Sequence, residues 1–390
     1  MTHRHSTARL SRRCDTGEPP NGPAHAKRPR RVMRRIAIVP ALFVLLRLAA
    51  CASPSPKPVE LLPERARITR ISEQPGSVRL DGLSPLVGFA HGKDCTFIHC
   101  LEVVTEGLGR PFGYDELMGV SGMAFRLQFR VDRWDVGNSD PLVGESNLDL
   151  LFEAVGWEYE VRIVRRDQMS EAAALRGQIA QSLDRSVPVL AANIIRPEDW
   201  GIVVGYRADQ QWLCRSYNNG ALSTDAVANG WPTAVVLLNR RTAPAARQNV
   251  LRASIRQAVD LFQRRQSGRY ALGSQAFDAW SRGLRSASDR SYLHPNAWTY
   301  VCLMDARAAA ARYLRSIARE FGAQGKHLEA AAIIYEEELR ILREGYRYVP
   351  SESSFPDSMP PQEMRDRQID TLQRAKSHEE QAIAELERAM

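Results

Sequence analysis

Histidine is missing from the middle of this 390-residue chain: positions 100 to 293 contain none. No His-Glu-x-x-His occurs anywhere, which excludes a zinc-peptidase helix with two ring nitrogens one turn apart. The six cysteines include no Cys-x-x-Cys pair, so zinc ribbons and thioredoxin-like dithiols are excluded as well. Gly-Val-Ser-Gly (119–122) is followed by Met123 and is not the Gly-x-Ser-x-Gly of a serine hydrolase. The glycines of 107–113 lack dinucleotide-binding spacing and follow a helical pattern rather than a strand. The longest early apolar stretch, Ile36 to Leu46, is eleven residues, too short to span a bilayer. No fixed repeat period is visible, which excludes a solenoid.

Basic charge is also missing where it would matter. The formal net charge is +8, yet the first fifty residues hold 11 of the 53 Lys/Arg and 2 of the 45 Asp/Glu. The remaining 340 residues carry 42 basic and 43 acidic groups. The basicity therefore belongs to the front end, and no nucleic-acid partner is expected.

That front end has a definite shape. Lys27 to Arg35 is positive, Ile36 to Leu46 is apolar, and Leu48-Ala49-Ala50-Cys51 follows. A charged segment, a short apolar one and small residues are the marks of a signal peptide. The last four residues resemble a bacterial lipobox. The resemblance implies that Cys51 becomes the first residue of the mature chain and carries the lipid anchor, with outer-membrane placement in a Gram-negative host. Arg47 interrupts the apolar run, and 32 residues precede Met33, which would open an ordinary leader. Residues 52–58 are Pro-rich and suit an extended tether. With Cys14 upstream of Met33 and Cys51 lipidated, Cys95, Cys100, Cys214 and Cys302 remain. An oxidising compartment could pair them in three ways.

The expected organisation is a leader over 1–50, an anchor and tether over 51–80, an α+β domain over 81–240 and a helical bundle over 241–390. Phe97, Leu101, Val104 and Leu108 make a helical stripe after Asp94 and Thr96, which can cap it. Phe125, Leu127, Phe129 and Val131 alternate with Arg126, Gln128 and Arg130, which predicts a strand with one wet face. Residues 148–156 and 171–183 read as helices. Short apolar runs at 187–193, 201–206, 211–217 and 233–238 read as closely spaced antiparallel strands. "GVSGMAF" predicts a tight turn with Gly119 and Gly122 at unusual backbone angles. Trp134, Trp157, Trp200, Trp212 and Trp231 are expected in the core or lining a cleft. From about 246 onward the pattern is helical only.

"CTFIHCLEVVTEGLG", "GYDELMGVSGMAFR", "SVPVLAAN" and "GIVVGY" occur in an order that resembles the C39-like papain fold, in particular the butirosin-biosynthesis-H N-terminal type. The resemblance covers about residues 85–240, and the helical tail with "AFDAWSRGL" is loosely similar too. It implies a cysteine opening a central helix before an antiparallel sheet, and a histidine opening the strand that ends in Val-x-Gly-Tyr. Here that position is Asp199, flanked by Glu198 and Trp200, and the oxyanion glutamine implied before the cysteine is missing. A carboxylate of pKa ~4 cannot activate a thiol of pKa ~8.5. Position favours Cys95 as the nucleophile equivalent. The Phe97-x-x-Cys100-Leu101 pattern points instead to Cys100, which also suits a small buried apolar residue.

The reading is a lipid-anchored extracytoplasmic protein whose papain-like cleft, at Cys95, Cys100 and Asp199, binds a peptide, acyl-type or other small ligand without catalysis and without a cofactor. One alternative is a thiol-dependent peptidase, amidase or acyltransferase taking its base from His91, His99 or the bundle. Another is an envelope scaffold whose bundle docks a partner. His91, Asp94, Cys95 and His99 could be written as a metal set, but the first two precede the helix, and no metal is expected. Asp199-Trp200 should stand at the mouth of the groove, facing the first turn of the 97–108 helix.

Overall fold

The computed structural model describes residues 68–390, apart from 73, 89–90, 146–147, 165–168, 196–198, 218–224 and 229. The leader, Cys51, the tether and Glu198 therefore lie outside the described residues. Chain order begins with β1 (Thr69–Ile71), β2 (Val78–Asp81), α1 (Thr96–Gly107), α2 (Tyr114–Val120) and β3 (Gln128–Arg130). It continues through α3 (Leu148–Val155), β4 (Trp157–Ile163), α4 (Met169–Asp184), β5 (Val189–Ala192) and β6 (Trp200–Tyr206). Strands β7 (Trp212–Arg215), β8 (Asp225–Val227) and β9 (Ala234–Arg241) close the mixed region.

The main sheet runs β1-β2-β6-β5-β9-β4, with β7 joining β6 to β8, and every pairing is antiparallel. β5 and β6 read as unbroken apolar runs because both of their faces are covered. Leu190, Ala192, Ile202 and Val204 share a core with Phe97, Leu101 and Val104 of α1. Val189, Ala191 and Val203 point the other way, onto Leu175, Ile179 and Leu183 of α4. Period-two alternation is intact, but no face is left for water.

The C-terminal part contains α5 (Arg247–Gln263), a hairpin of β10 (Gln266–Ser267) and β11 (Tyr270–Leu272), then α6 (Gly273–Ser286), α7 (Leu293–Ile317), α8 (Gly325–Gly345) and α9 (Gln362–Ala389). It is not purely helical, because the hairpin pairs with β3 to form a second, three-stranded sheet. Phe129 of β3 stacks on Trp280 of α6, ring centres 5.9 Å apart. The core is continuous across the expected 240/241 boundary: one apolar cluster runs from Leu86 and α1 through α5 and α7 to Leu386 of α9. The described residues form one compact unit.

Two local expectations change. The segment at 125–131 has no wet face at Arg126 and Gln128, which are 7 % and 1 % exposed. Both polar side chains are turned inward onto carbonyls of the 138–145 segment, and β3 itself is only three residues long. In the 119–122 turn Gly122 has φ +76°, but Gly119 is helical. Gly119 is small for another reason: a Cβ there would lie 2.2 Å from the Tyr313 ring of α7.

Candidate functional site

Cys95 is the N-cap of α1, with extended backbone angles (φ −78°, ψ 91°) and a buried side chain. Its N–H donates to the Tyr114 hydroxyl at 2.9 Å. That hydroxyl donates to Asp305 Oδ2 at 2.5 Å, and the Asp94 N–H donates to the same oxygen at 3.0 Å. A carboxylate from α7 and a phenol from α2 thus hold the chain just before α1. On the other side the Trp200 N–H donates to Thr96 Oγ1 at 3.1 Å, and the Trp200 indole meets Phe97 edge-on at 4.9 Å. Asp199 is buried directly before β6. The structure therefore sets Trp200 against the first turn of α1 and Asp199 within electrostatic reach of Cys100.

The surroundings suppress both thiolates. Burial pushes the Cys95 thiol up to about 12, with Asp305 adding to the rise and the Ile98 amide and Arg126 opposing it. Cys100 is raised well above its ordinary value by burial, then by Asp199 and by Cys95. The four described cysteines are all free thiols, with Cys95, Cys100 and Cys214 buried and Cys302 partly so.

The histidines nearest in sequence are not at the thiols. His99 Nε2 accepts from the Val87 N–H at 2.9 Å, so Nδ1 carries the proton and donates to Glu102 Oε2 at 2.8 Å. Burial lowers its pKa, in keeping with a neutral ring. Lys93 Nζ donates to the same Glu102 oxygen at 2.7 Å. His91 Nδ1 lies 3.1 Å from the Gly88 carbonyl, His327 pairs with Glu385, and His378 meets the Arg374 carbonyl. His294 stands beside Trp298, ring centres 6.0 Å apart. Among the described residues no hydrogen bond joins a histidine to a cysteine sulfur. No group of three or more His, Cys, Asp or Glu side chains among them could hold a metal ion.

Two cavities meet at Cys95. The larger one, about 180 Å³, is bounded by the start of α1, by the 135–141 segment and by Trp200 and Trp298. The smaller one, about 30 Å³, lies between Arg126, Gln128, Asn138, Cys302 and two methionines, Met118 and Met123. Cys95 and Ser139 line both. The 135–141 wall is pinned by side chains: Trp200 Nε1 donates to Asp140 Oδ2 at 3.2 Å and Trp298 Nε1 to Ser139 Oγ at 3.0 Å. Arg126 holds it from behind, through the carbonyls of Asn138, Asp140, Val143 and Glu145. Such fixed walls suit a pre-formed binding site.

Of the residues singled out in the sequence, Cys95 and Trp200 line these cavities, and Cys100 and Asp199 do not. Sequence reading missed Asp305, Arg126, Ser139 and Trp298, and it quoted Tyr114 without giving it a part. Tyr114 had a signal in its place within "GYDELMG", one of the segments that carry the resemblance, whereas Asp305 lies in an unremarkable helical stretch 191 residues later. With this geometry in hand, neither comparison offers a precedent: no family model matches the chain, and no curated protein matches it.

Proposed function

We propose that this chain is a lipid-anchored extracytoplasmic protein of papain-like architecture, and that its Cys95 cleft binds a peptide or acyl-type ligand without turning it over. The observation that carries the reading is the closure of the Cys95 amide by Tyr114. A thiol enzyme needs a thiolate, a base and free N–H donors aimed at a developing oxyanion. Here the N–H is occupied, the thiol is held neutral, and in the sequence Asp199 stands where the resemblance implies a histidine base. What remains is a walled cavity with two indoles and polar groups, which suits recognition. The leader and the Leu48-to-Cys51 order support the anchor, and among the described residues no helix is long and apolar enough to cross a membrane.

The test is alkylation of the purified protein by iodoacetamide across pH, read by peptide mass spectrometry at Cys95 and Cys100. Slow modification, with a midpoint at or above that of a free thiol, is expected. A midpoint below 7 that disappears on changing a single histidine would establish the thiol-enzyme alternative instead.

A further inference from the structure

We propose that the outer edge of β4 is a self-association surface, to which a second copy of this chain adds its own β4, antiparallel, about a twofold axis at Val161. β4 ends the main sheet: it pairs with β9 on one side and, among the described residues, with no strand on the other. The sheet's other outermost strands, β1 and β8, have three residues each, against seven in β4. A long bare edge is a template for another strand, and proteins commonly blunt such edges with proline, lysine or bulges. β4 contains neither proline nor lysine. Its register shift against β9, between Glu158 and Tyr159, leaves 159–163 regular.

The direction of the backbone groups fixes what the edge offers. The Val164 N–H donates to the Thr233 carbonyl at 2.8 Å, on the β9 side. By alternation the backbone groups of Arg162 and Glu160 also face β9. Those of Tyr159, Val161 and Ile163 therefore point outward. With the axis at Val161, that residue faces its own copy and Tyr159 faces the second copy's Ile163. These are hydrogen-bonded pairs, each exchanging both of its N–H···O bonds.

Charge selects this register. Glu160 and Arg162 fall in the non-hydrogen-bonded positions, where side chains come closest. Each Glu160 then faces the second copy's Arg162, on both sides of the axis. Opposite charges so placed are favourable, and like charges directly opposite are not. An axis at Glu160 would set one glutamate against the other, and an axis at Arg162 would do the same with arginine. The opposite face agrees. Tyr159 and Val161 pack against the core there, while Ile163 is left 59 % exposed. In the dimer Ile163 gains the second copy's Tyr159 as a neighbour. A contact made by one short strand from each copy is smaller than a standard interface of roughly 1,600 Å², so the dimer is a weak, exchanging one.

The experiment uses the full mature chain carrying Glu160→Cys or Arg162→Cys, both mixed after purification and co-expressed in a bacterial host. Each variant alone is compared with the pair after oxidation by copper–phenanthroline, on non-reducing gels, with circular dichroism as the folding check. The pair should give at least about fivefold more disulfide dimer than either variant alone, because only 160 against 162 meets the short separation that a disulfide needs. Val161→Pro removes an N–H that faces away from β9, so the sheet keeps its own bonds. In that background the cross-link should disappear, and its persistence would overturn backbone pairing at this edge. If Val161→Pro does not fold, the pair against the single variants decides alone. Equal cross-linking by Glu160→Cys alone overturns the Val161 register. Cross-linking only to a different protein gives the edge to a foreign strand and overturns self-pairing. No cross-link in any arm overturns the surface.

Discussion

The hydroxyl of Tyr114 donates to Oδ2 of Asp305 at 2.5 Å, joining α2 to α7 underneath the first turn of α1. The same oxygen of Tyr114 accepts the Cys95 amide, so one phenol fixes the backbone that a thiol nucleophile would have to present. Burial raises the phenol pKa well above its ordinary value, so Tyr114 is a protonated donor throughout the stable range.

Replacing Tyr114 with Phe removes one hydrogen bond to a carboxylate and leaves a buried N–H without its partner. A buried donor left unmatched costs about 1–3 kcal/mol. The variant should lose about that much stability in urea titration, with the denaturant slope unchanged. Its Cys95 should stay slow toward iodoacetamide, because the thiol is raised mainly by burial and not by Tyr114. A large gain in reactivity would show that the phenol, rather than desolvation, silences the thiol.

Gly119→Ala tests the packing of α2 on α7. The added methyl would meet the Tyr313 ring at 2.2 Å, and Tyr313 is fully buried with its hydroxyl 2.6 Å from Ser254 Oγ. The ring cannot swing away without breaking that bond. Overpacking of this kind costs about 1–3 kcal/mol, and the melting temperature should fall by several degrees. An unchanged melt would mean that α2 and α7 slide apart freely.

Much of the fold was legible because α1, α3, α4, β5, β6 and the C-terminal helices depend on local periodicity, which the chain carries plainly. The unread parts are long-range. Arg126 and Gln128 lie in an alternating pattern whose polar positions read as wet, and only the 138–145 carbonyls make them interior residues. The hairpin at 266–272 is five ladder residues long and gains its place by pairing with β3, more than a hundred residues upstream. At the site, Cys95 and Asp199 were singled out through the order of segments that carries the resemblance. The tie between Tyr114 and Asp305 spans 191 residues, and no spacing rule reaches that far.

Cys51 lies outside the described residues, and its role is tested chemically. In a bacterial host fed labelled palmitate, the wild type should incorporate label and partition into detergent, and Cys51→Ala should do neither. A Cys51→Ala protein that still carries label would remove the anchor from the proposal while leaving the cleft unaffected.

The last prediction concerns Glu338, buried with Glu379 around a single cation. Arg307 of α7 reaches Glu338 Oε1 at 3.2 Å and Glu379 Oε2 at 2.9 Å, and all three side chains are sealed from solvent. Arg307 also donates to the Ala124 carbonyl at 2.8 Å, while Tyr335 of α8 lies under its guanidinium. One cation cannot neutralise two buried carboxylates. Burial, then Glu379, holds the Glu338 carboxyl well above its usual range. A carboxyl raised in the folded state is protonated there more readily than in the unfolded chain. Its contribution is complete below the unfolded pKa, ~4.3, and is lost as pH rises through the folded value. Glu338→Gln keeps the shape and the acceptor for Arg307 but cannot ionise. Melting temperatures of the two proteins should therefore be close near pH 5 and diverge toward pH 9, with the wild type falling below the variant. Each unit of raised pKa corresponds to about 1.4 kcal/mol at the alkaline end. Other buried carboxyls, such as Asp140 and Asp305, are common to both proteins and cancel in the difference. Parallel curves from pH 5 to 9 would show that Glu338 is ionised in the fold and that Arg307 balances both acids.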